Sequence, residues 1–371
     1  MHSLKHPIAV DENVATANLT SFHYGSPGSG KKVYIQAAVH ADEVPAMLLA
    51  HLLRQELDRL DAEGAIRGEI ILVPAANPIG LSQVIHGTPF GRYHLPTGIN
   101  FNRMYLHVAD ALKKSLEGRL GSDIDANVLL IREEARRQVA QWTPKDDVET
   151  LKKTLLAMAI DADIVLDLHC DNEALMHMYT GTPLVETVAP LTALLGARVL
   201  LVAKASGGEA FDEACSRLWW DLADHFEGAA IPPACAAVTV ELRGENDVRY
   251  DYARPDAQAI LQYLGHAGVL DIPLLPLPET PCRATPLNAV EPLEAPHAGV
   301  LVFHKRLGDM VEAGEPVADI VNPVSGQVTT LSSSHAGLLF ASTAHRHLLR
   351  GAHVCKIAGT ESFRTGDLLS A

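Results

Sequence analysis

The 371-residue sequence has a formal net charge of −15, with 47% hydrophobic and 20% charged residues. That is the profile of a soluble globular protein of two or three domains, and its charge makes nucleic acid and anionic membrane poor partners. No apolar run approaches the ~20 residues of a membrane span. MHSLKHPIAVDENV, polar and broken by Pro7, does not resemble a secretory signal. The five cysteines are scattered, odd in number and form no CxxC pair, so neither a disulfide framework nor a cysteine zinc site is indicated. A reducing cytoplasm is the expected compartment.

Taken in order, Asn18 to Tyr24 reads as a short strand. GSPGSGKK follows and lacks phosphate-loop spacing, so it is a turn. Val33 to Val39 is a β-type run that delivers His40, and a helix from about Asp42 to Leu60 keeps a helical apolar period. EIILVPAANP is an unbroken apolar run of the kind buried on both faces of a parallel sheet. Residues 79–105 form a long loop with little periodicity that holds Arg92, Asn100, Asn102 and Arg103; such loops are usually functional. Residues 106–160 are largely helical, with breaks near GSDID and WTPKDD. ADIVLDLHCDNE is a strand that puts Asp167, His169 and Asp171 on one face.

Further strands are expected at 197–203 and in ACAAVTVELRG, which ends with Glu241. They are separated by helices in ETVAPLTALL and around AFDEACSRLWWDLADHF, where Trp219 and Trp220 read as packing residues. A helix from about Pro255 to Leu264 closes an α/β domain over residues 1–270, a doubly wound and mostly parallel sheet. Residues 271–371 are a proline-rich linker and, from about 284, a small all-β domain of short runs and glycine turns.

In open α/β sheets ligands bind outside the carboxyl ends of the strands. His40, Asn77, His169 and Glu241 are expected there. His40, Glu43 and His169 make a His₂Glu set, a catalytic zinc arrangement that leaves a position for water; HExxH is absent. Zinc lowers the pKa of bound water from ~15.7 to ~7, roughly 12 kcal/mol toward hydroxide. Glu241, ending an apolar strand, is the candidate general base; the other reading is an ion pair with Arg243. Asp42 and Glu43 have their own structural reading, as carboxylates at a helix N-terminus. Arg103 suits a bidentate carboxylate, and Arg92 a second anion or the scissile carbonyl; each could also tie the loop down. Asp167 could orient a ligating imidazole.

His-Ala-Asp-Glu at 40–43, Asn77-Pro78, Asn100-Phe-Asn-Arg103, Asp167-Leu-His169 and Glu241 resemble the succinylglutamate desuccinylase/aspartoacylase family, a branch of the zinc carboxypeptidase superfamily. The resemblance covers nearly the whole chain, with Ala41 where many members have Gly. It implies one Zn²⁺ on His40, Glu43 and His169, and Glu241 as general base and acid. It also implies Asn102 and Arg103 on the substrate α-carboxylate. Arg92, the only arginine between the Asn-Pro and Asn-Arg motifs, inherits the second arginine's role. A tyrosine that some members bring from the C-terminal domain has no counterpart, since none follows Tyr263.

GVLVFHKRLGDMVEAGEPVADIVNP looks like a biotinyl/lipoyl-type barrel-sandwich. Lys305 and Lys356 lack the carrier setting, so a barrel without a prosthetic group is expected, narrowing access to the zinc cleft. The implied activity is removal of an N-acyl group from a small acylated amino acid. The rivals are a zinc carboxypeptidase acting on peptides and a non-enzymatic carrier module. A homo-oligomer is compatible with the sequence.

Overall fold

The unbroken apolar runs become buried strands, and the periodic segments between them become the helices that cover the sheet. The computed structural model describes residues 1–9, 17–366 and 368. In chain order come β1 (His2–Ile8), β2 (Ala17–Gly25), β3 (Lys32–Ala37), α1 (Val44–Ala62) and β4 (Glu69–Val73). The helices α2 (Ala109–Ser115), α3 (Ile124–Gln141) and α4 (Asp147–Ala159) follow, then β5 (Ile164–Asp171), β6 (His177–Gly181), α5 (Val185–Leu195) and β7 (Val199–Ala203). Next are α6 (Phe211–His225), β8 (Ala236–Gly244), α7 (Tyr250–His266) and β9 (Ala284–Pro286).

These nine strands make one sheet in the order β1-β2-β4-β3-β5-β8-β6-β7-β9. The run β4-β3-β5-β8 is parallel, as are β6–β7 and β7–β9. The pairs β1–β2, β2–β4 and β8–β6 are antiparallel. The fold is therefore mixed α/β, with a parallel centre. Sequence reading misses β1 because an exposed edge strand need not be apolar: HSLKHPI is mostly exposed. It also starts α7 five residues late, at Pro255, which the helix carries internally.

Alternation along the strands sorts the two faces. Leu166, Leu168, Val238 and Val240 face one core with α1, α5 and α7. Val165 and Ala237 face another with α2, α3, α4 and α6, and Trp219 lies fully buried there. On this second face α6 reaches β6, at the near side of the β6–β7–β9 edge.

A second set of strands covers that edge: β10 (Val290–Glu294), β11 (Gly299–Phe303), β12 (Pro316–Val321), β13 (Val328–Ser332), β14 (Gly337–Ser342) and β15 (His353–Ala358). They form two antiparallel sheets around their own core, which includes Leu301, Val317, Ile320 and Val354. A further cluster, with Val199, Leu201, Leu287, Val290 and Phe340, packs this layer onto β7. The short strand Glu173–Ala174 pairs with β14. Residues 284–286, expected to open the small β region, instead add an edge strand to the large sheet. No described helix is long and apolar enough to cross a membrane.

Candidate metal centre

β3 ends at Ala37, and Ala38 takes a left-handed φ of +61°. For a residue with a Cβ this costs about 1–2 kcal/mol, a strain held by the surrounding structure. It folds His40 to Glu43 into one tight turn, in which Glu43 N–H donates to His40 O at 3.2 Å. Asn77 props this turn from β4: its Nδ2 donates to Val39 O at 2.8 Å, and its Oδ1 caps the short helix Pro78–Leu81. Of the four polar strand ends, His40, His169 and Glu241 line one cavity, and Asn77 supports it from outside.

Glu43 stands at the N-cap of α1 but makes no capping bond. Its carboxylate lies 2.8 Å from His40 Nδ1 and 2.7 Å from His169 Nδ1, and accepts from Cys170 N–H at 3.1 Å. The helix-end reading of Glu43 is thereby overturned. One ligand atom each from His40, Glu43 and His169 lies within 4.8 Å of the others, and all three residues are buried.

The outer partners decide which ring nitrogens carry hydrogen. Asn100 Oδ1 accepts from Asn102 N–H at 2.9 Å, so it is an acceptor, and His40 Nε2–H must donate to it at 2.8 Å. His169 Nε2 lies 3.0 Å from Asp167 Oδ2. Asp167 is itself held by Gln36 Nε2 at 2.8 Å, and Gln36 by Tyr34 Oη at 2.9 Å. Both imidazoles thus turn Nδ1 toward the Glu43 carboxylate. At such distances in a buried site a positive charge, whether a proton on the ring or a cation, must lie between Nδ1 and the carboxylate.

The electrostatics point the same way. Burial opposes charge on His169, yet Asp167 and then Glu43 hold its pKa well above the ordinary range. Burial likewise opposes ionisation of Glu43, but His169 and His40 hold it well below its usual value. His40 falls to about 4 through burial and then Arg92, which favours its neutral form at pH 7. Two Nδ1 atoms and a carboxylate oxygen, oriented by Asn100 and Asp167, fit the donor set and outer partners of a catalytic zinc site.

Glu241 is the register partner of His169 across β5–β8. Its Oε2 is buried with no hydrogen-bond partner among the described residues. Burial, reinforced by Glu43, pushes its pKa up to about 8. The alternative partner is engaged elsewhere: Arg243 makes a two-pronged pair with Asp256 at 2.8 and 2.9 Å. Arg92 Nη1 donates to Glu43 Oε1 at 3.1 Å and lies 3.3 Å from His40 Nδ1. The Arg92 guanidinium therefore stands beside the three ligand atoms.

Asn102 accepts from Phe211 N–H at 3.0 Å, which fixes its amide so that Nδ2 faces Asp167 and His169. Arg103 is buried, lines the cavity and donates from Nη1 to Asn102 O at 2.8 Å. Its stem lies across Gly208, where φ is +78° and a Cβ would stand 2.7 Å from Arg103 Cδ. Gly91, next to Arg92, approaches the backbone of the 40–43 turn: Ala41 N–H donates to Gly91 O at 3.0 Å, and a Cβ at Gly91 would lie 2.2 Å from Asp42 N. Backbone cannot yield there, so Gly91→Ala is expected to destabilise by about 1–3 kcal/mol. It should also weaken metal binding at least about tenfold, by displacing the turn. Unfolding curves and metal titration check both; unchanged affinity would show that the turn tolerates the shift.

The cavity, about 600 Å³, lies on the second face, between the N-terminus of α6 and the β10–β15 layer. Sequence reading missed two of its walls. Asp212, at the start of α6, is buried and its pKa rises to about 7 through burial and then Glu213. Lys356 of β15 places Nζ 2.6 Å from Asp171 Oδ2. No local signal joins residues 185 positions apart; only the packing of the β layer on the sheet does.

A family model described as the succinylglutamate desuccinylase/aspartoacylase catalytic domain matches residues 29–128. The fold is similar over 96% of this chain to that of a family protein from Shewanella amazonensis SB2B. That similarity covers 98% of the Shewanella chain, with a TM-score of 0.82 and 26% identity. A family protein from Shewanella frigidimarina NCIMB 400 gives the same TM-score at 25% identity, covering 96% of this chain and 97% of that one. A comparison with curated proteins finds no match. Both comparisons point to the succinylglutamate desuccinylase/aspartoacylase family. The fold of the ectoine utilization protein EutE (DoeB) from Ruegeria pomeroyi is also similar, at TM-score 0.60 and 18% identity, over 93% of this chain and 89% of that one.

The family-model match ends at residue 128. His169 and Glu241 lie beyond it. They reach the His40–Glu43 turn through the strand order β3-β5-β8.

Proposed function

We propose that the protein is a zinc-dependent amidohydrolase. It would cleave the N-acyl bond of a small acylated amino acid, with water, to a carboxylate and a free amine. The observation that carries this reading is the convergence of two Nδ1 atoms and one carboxylate beside a buried Glu241 oxygen that has no hydrogen-bond partner among the described residues. When bound at His40, Glu43 and His169, Zn²⁺ supplies Lewis acidity and lowers the pKa of coordinated water.

The remaining work falls to the chain's own residues. Glu241 takes the water proton as the oxygen adds to the acyl carbon, and delivers it to nitrogen as the C–N bond breaks. Arg92 supplies positive charge where the carbonyl oxygen becomes negative. Arg103, positioned by Asn102 and Gly208, takes the α-carboxylate. Lys356 and the β10 strand wall the cavity on the side away from α6, which supports small substrates over polypeptide.

We infer further that residues 1–270 form a zinc-carboxypeptidase-like α/β unit and residues 271–371 a linker with a biotinyl/lipoyl-like barrel-sandwich. The separate core of the two antiparallel sheets supports this division. Lys305 pairs with Glu315 and Lys356 with Asp171, a setting that differs from a carrier lysine on a hairpin tip. Solubility and a cytoplasmic site of action accord with the composition.

The test is a panel of N-acetyl and N-succinyl amino acids against dipeptides, run on protein of known metal content. Release of amine from the acyl amino acids, with dipeptides at least about tenfold poorer, is the expected result. The reverse preference would establish the carboxypeptidase reading. Intact mass addresses the carrier reading, since a lipoyl or biotinyl adduct would replace the hydrolase assignment.

A further inference from the structure

One charged side chain stands where the pattern of its helix calls for an apolar one. α4 buries Val148, Leu151, Lys152, Leu155, Leu156 and Ala159, a stripe at helical spacing that faces the second core. Lys152 is the polar member of that stripe. It is 2% exposed, so its stem does not carry the ammonium out to water as a surface lysine's does. Burial brings its pKa down to about 8, against the opposing pull of Asp146 and Glu149. At pH 7, below both that value and the ~10.4 of an unfolded lysine, the fold carries the full cost of burying an ammonium. A methionine of similar length would carry none of it.

What the ammonium touches gives the reason to keep it. Nζ donates to Asn100 O at 3.3 Å and lies 5.8 Å from the centre of the Tyr105 ring. Asn100 O also accepts from Arg103 N–H at 3.3 Å, which closes a tight turn over 100–103. The parts of the site meet at this turn. Asn100 Oδ1 takes the His40 Nε2 hydrogen, and Asn102 Nδ2 faces Asp167 and His169. Arg103 lines the cavity, and Phe101 N–H donates to Arg92 O at 3.1 Å. Both imidazoles and both arginines thus take their bearings from one turn. Met104, which leaves it, has a left-handed φ of +58°, a conformation that persists only where surrounding contacts over-determine it.

We propose that Lys152 is a positioning residue for the metal centre: its ammonium anchors the Asn100 carbonyl and so fixes the turn that orients His40, His169 and the two arginines. The inference rests on the metal reading above and adds to it a residue outside the cavity wall. Lys152 acts through Asn100 and touches neither ligand nor substrate.

The experiment is Lys152→Met, which keeps the length and removes the donor, with Lys152→Arg as the conservative variant. A lysine kept for stability would lower the melting temperature when replaced. Lys152→Met is instead expected to melt roughly 2–4 °C above the wild type. Its affinity for Zn²⁺, measured by chelator competition, should fall at least about tenfold. Loaded with Co²⁺, it should show altered visible absorption bands, while Lys152→Arg, whose guanidinium still donates, should keep those of the wild type. With Zn²⁺ saturating, kcat/KM on the best acyl amino acid should fall at least about tenfold, because the site is misplaced rather than empty. Unchanged Zn²⁺ affinity and Co²⁺ spectrum in Lys152→Met overturn the proposal, whichever way the melting temperature moves. Should affinity and melting temperature fall together, the same change made in Asn100→Ala decides. A smaller further loss of affinity there supports the anchor; a loss as large as in the wild type means that Lys152 acts on the fold at large, and overturns it. If the wild type binds no Zn²⁺, the metal reading fails by itself. Amide hydrogen exchange at residues 101–103 then tests the anchor: at least about tenfold faster exchange in Lys152→Met is expected, and equal exchange dismisses it.

Discussion

Glu241→Gln is expected to keep its fold and full metal content and to lose about a thousandfold in kcat, in the range of general acid–base catalysis. Glutamine is nearly isosteric with glutamate, and Glu241 makes no salt bridge whose loss would disturb the core. Its Oε2 has no hydrogen-bond partner among the described residues. What the variant cannot do is accept a proton from water and return it to nitrogen. Initial rates on the best acyl amino acid, metal analysis and near-ultraviolet circular dichroism, measured on one preparation, make the comparison. A variant with full metal and an undiminished rate would remove Glu241 from the mechanism.

The second large effect is expected at the ligands. His169→Ala removes one of two imidazoles and leaves Glu43 facing His40 alone. Loss of a group that only orients a ligand costs roughly 10–100-fold in metal affinity. Asp167→Asn, which keeps the shape but weakens the acceptor for His169 Nε2–H, should fall in that range. His169→Ala should fall beyond it and lose its metal on dialysis against a competing chelator. Metal retained at one equivalent by His169→Ala would mean that the ion sits elsewhere and that the cluster is a buried ion network.

The strands and helices that carry the site were readable because each has a local signature. Val33–Val39, Ile70–Val73 and Ile164–Leu168 are mostly apolar runs, interrupted only by Gln36 and Asp167, and the helices between them keep a 3.6-residue period. His40 and Glu43 were readable because three residues of chain bring them together. Elements without such a signature were not. β1 is an exposed edge strand, and β6 and β9 are short runs that pair only because neighbours are already in place. Lys356 shows the same limit at the site: its sequence neighbours, Cys355 and Ile357, identify a strand and say nothing of Asp171.

Composition and local pattern by themselves determined an α/β unit followed by a β-rich one, with ligand-type residues on the turns after apolar strands. They also carried the family resemblance, because its motifs are short and contiguous. The tertiary structure alone decided that Glu43 faces two Nδ1 atoms, that Arg243 is occupied by Asp256 and so leaves Glu241 free, and that Asn77 stands outside the cavity. It alone brought the β10–β15 layer onto β7 beside the site. The reason is that side-chain direction and partner choice depend on contacts across strands and layers, which have no period along the chain.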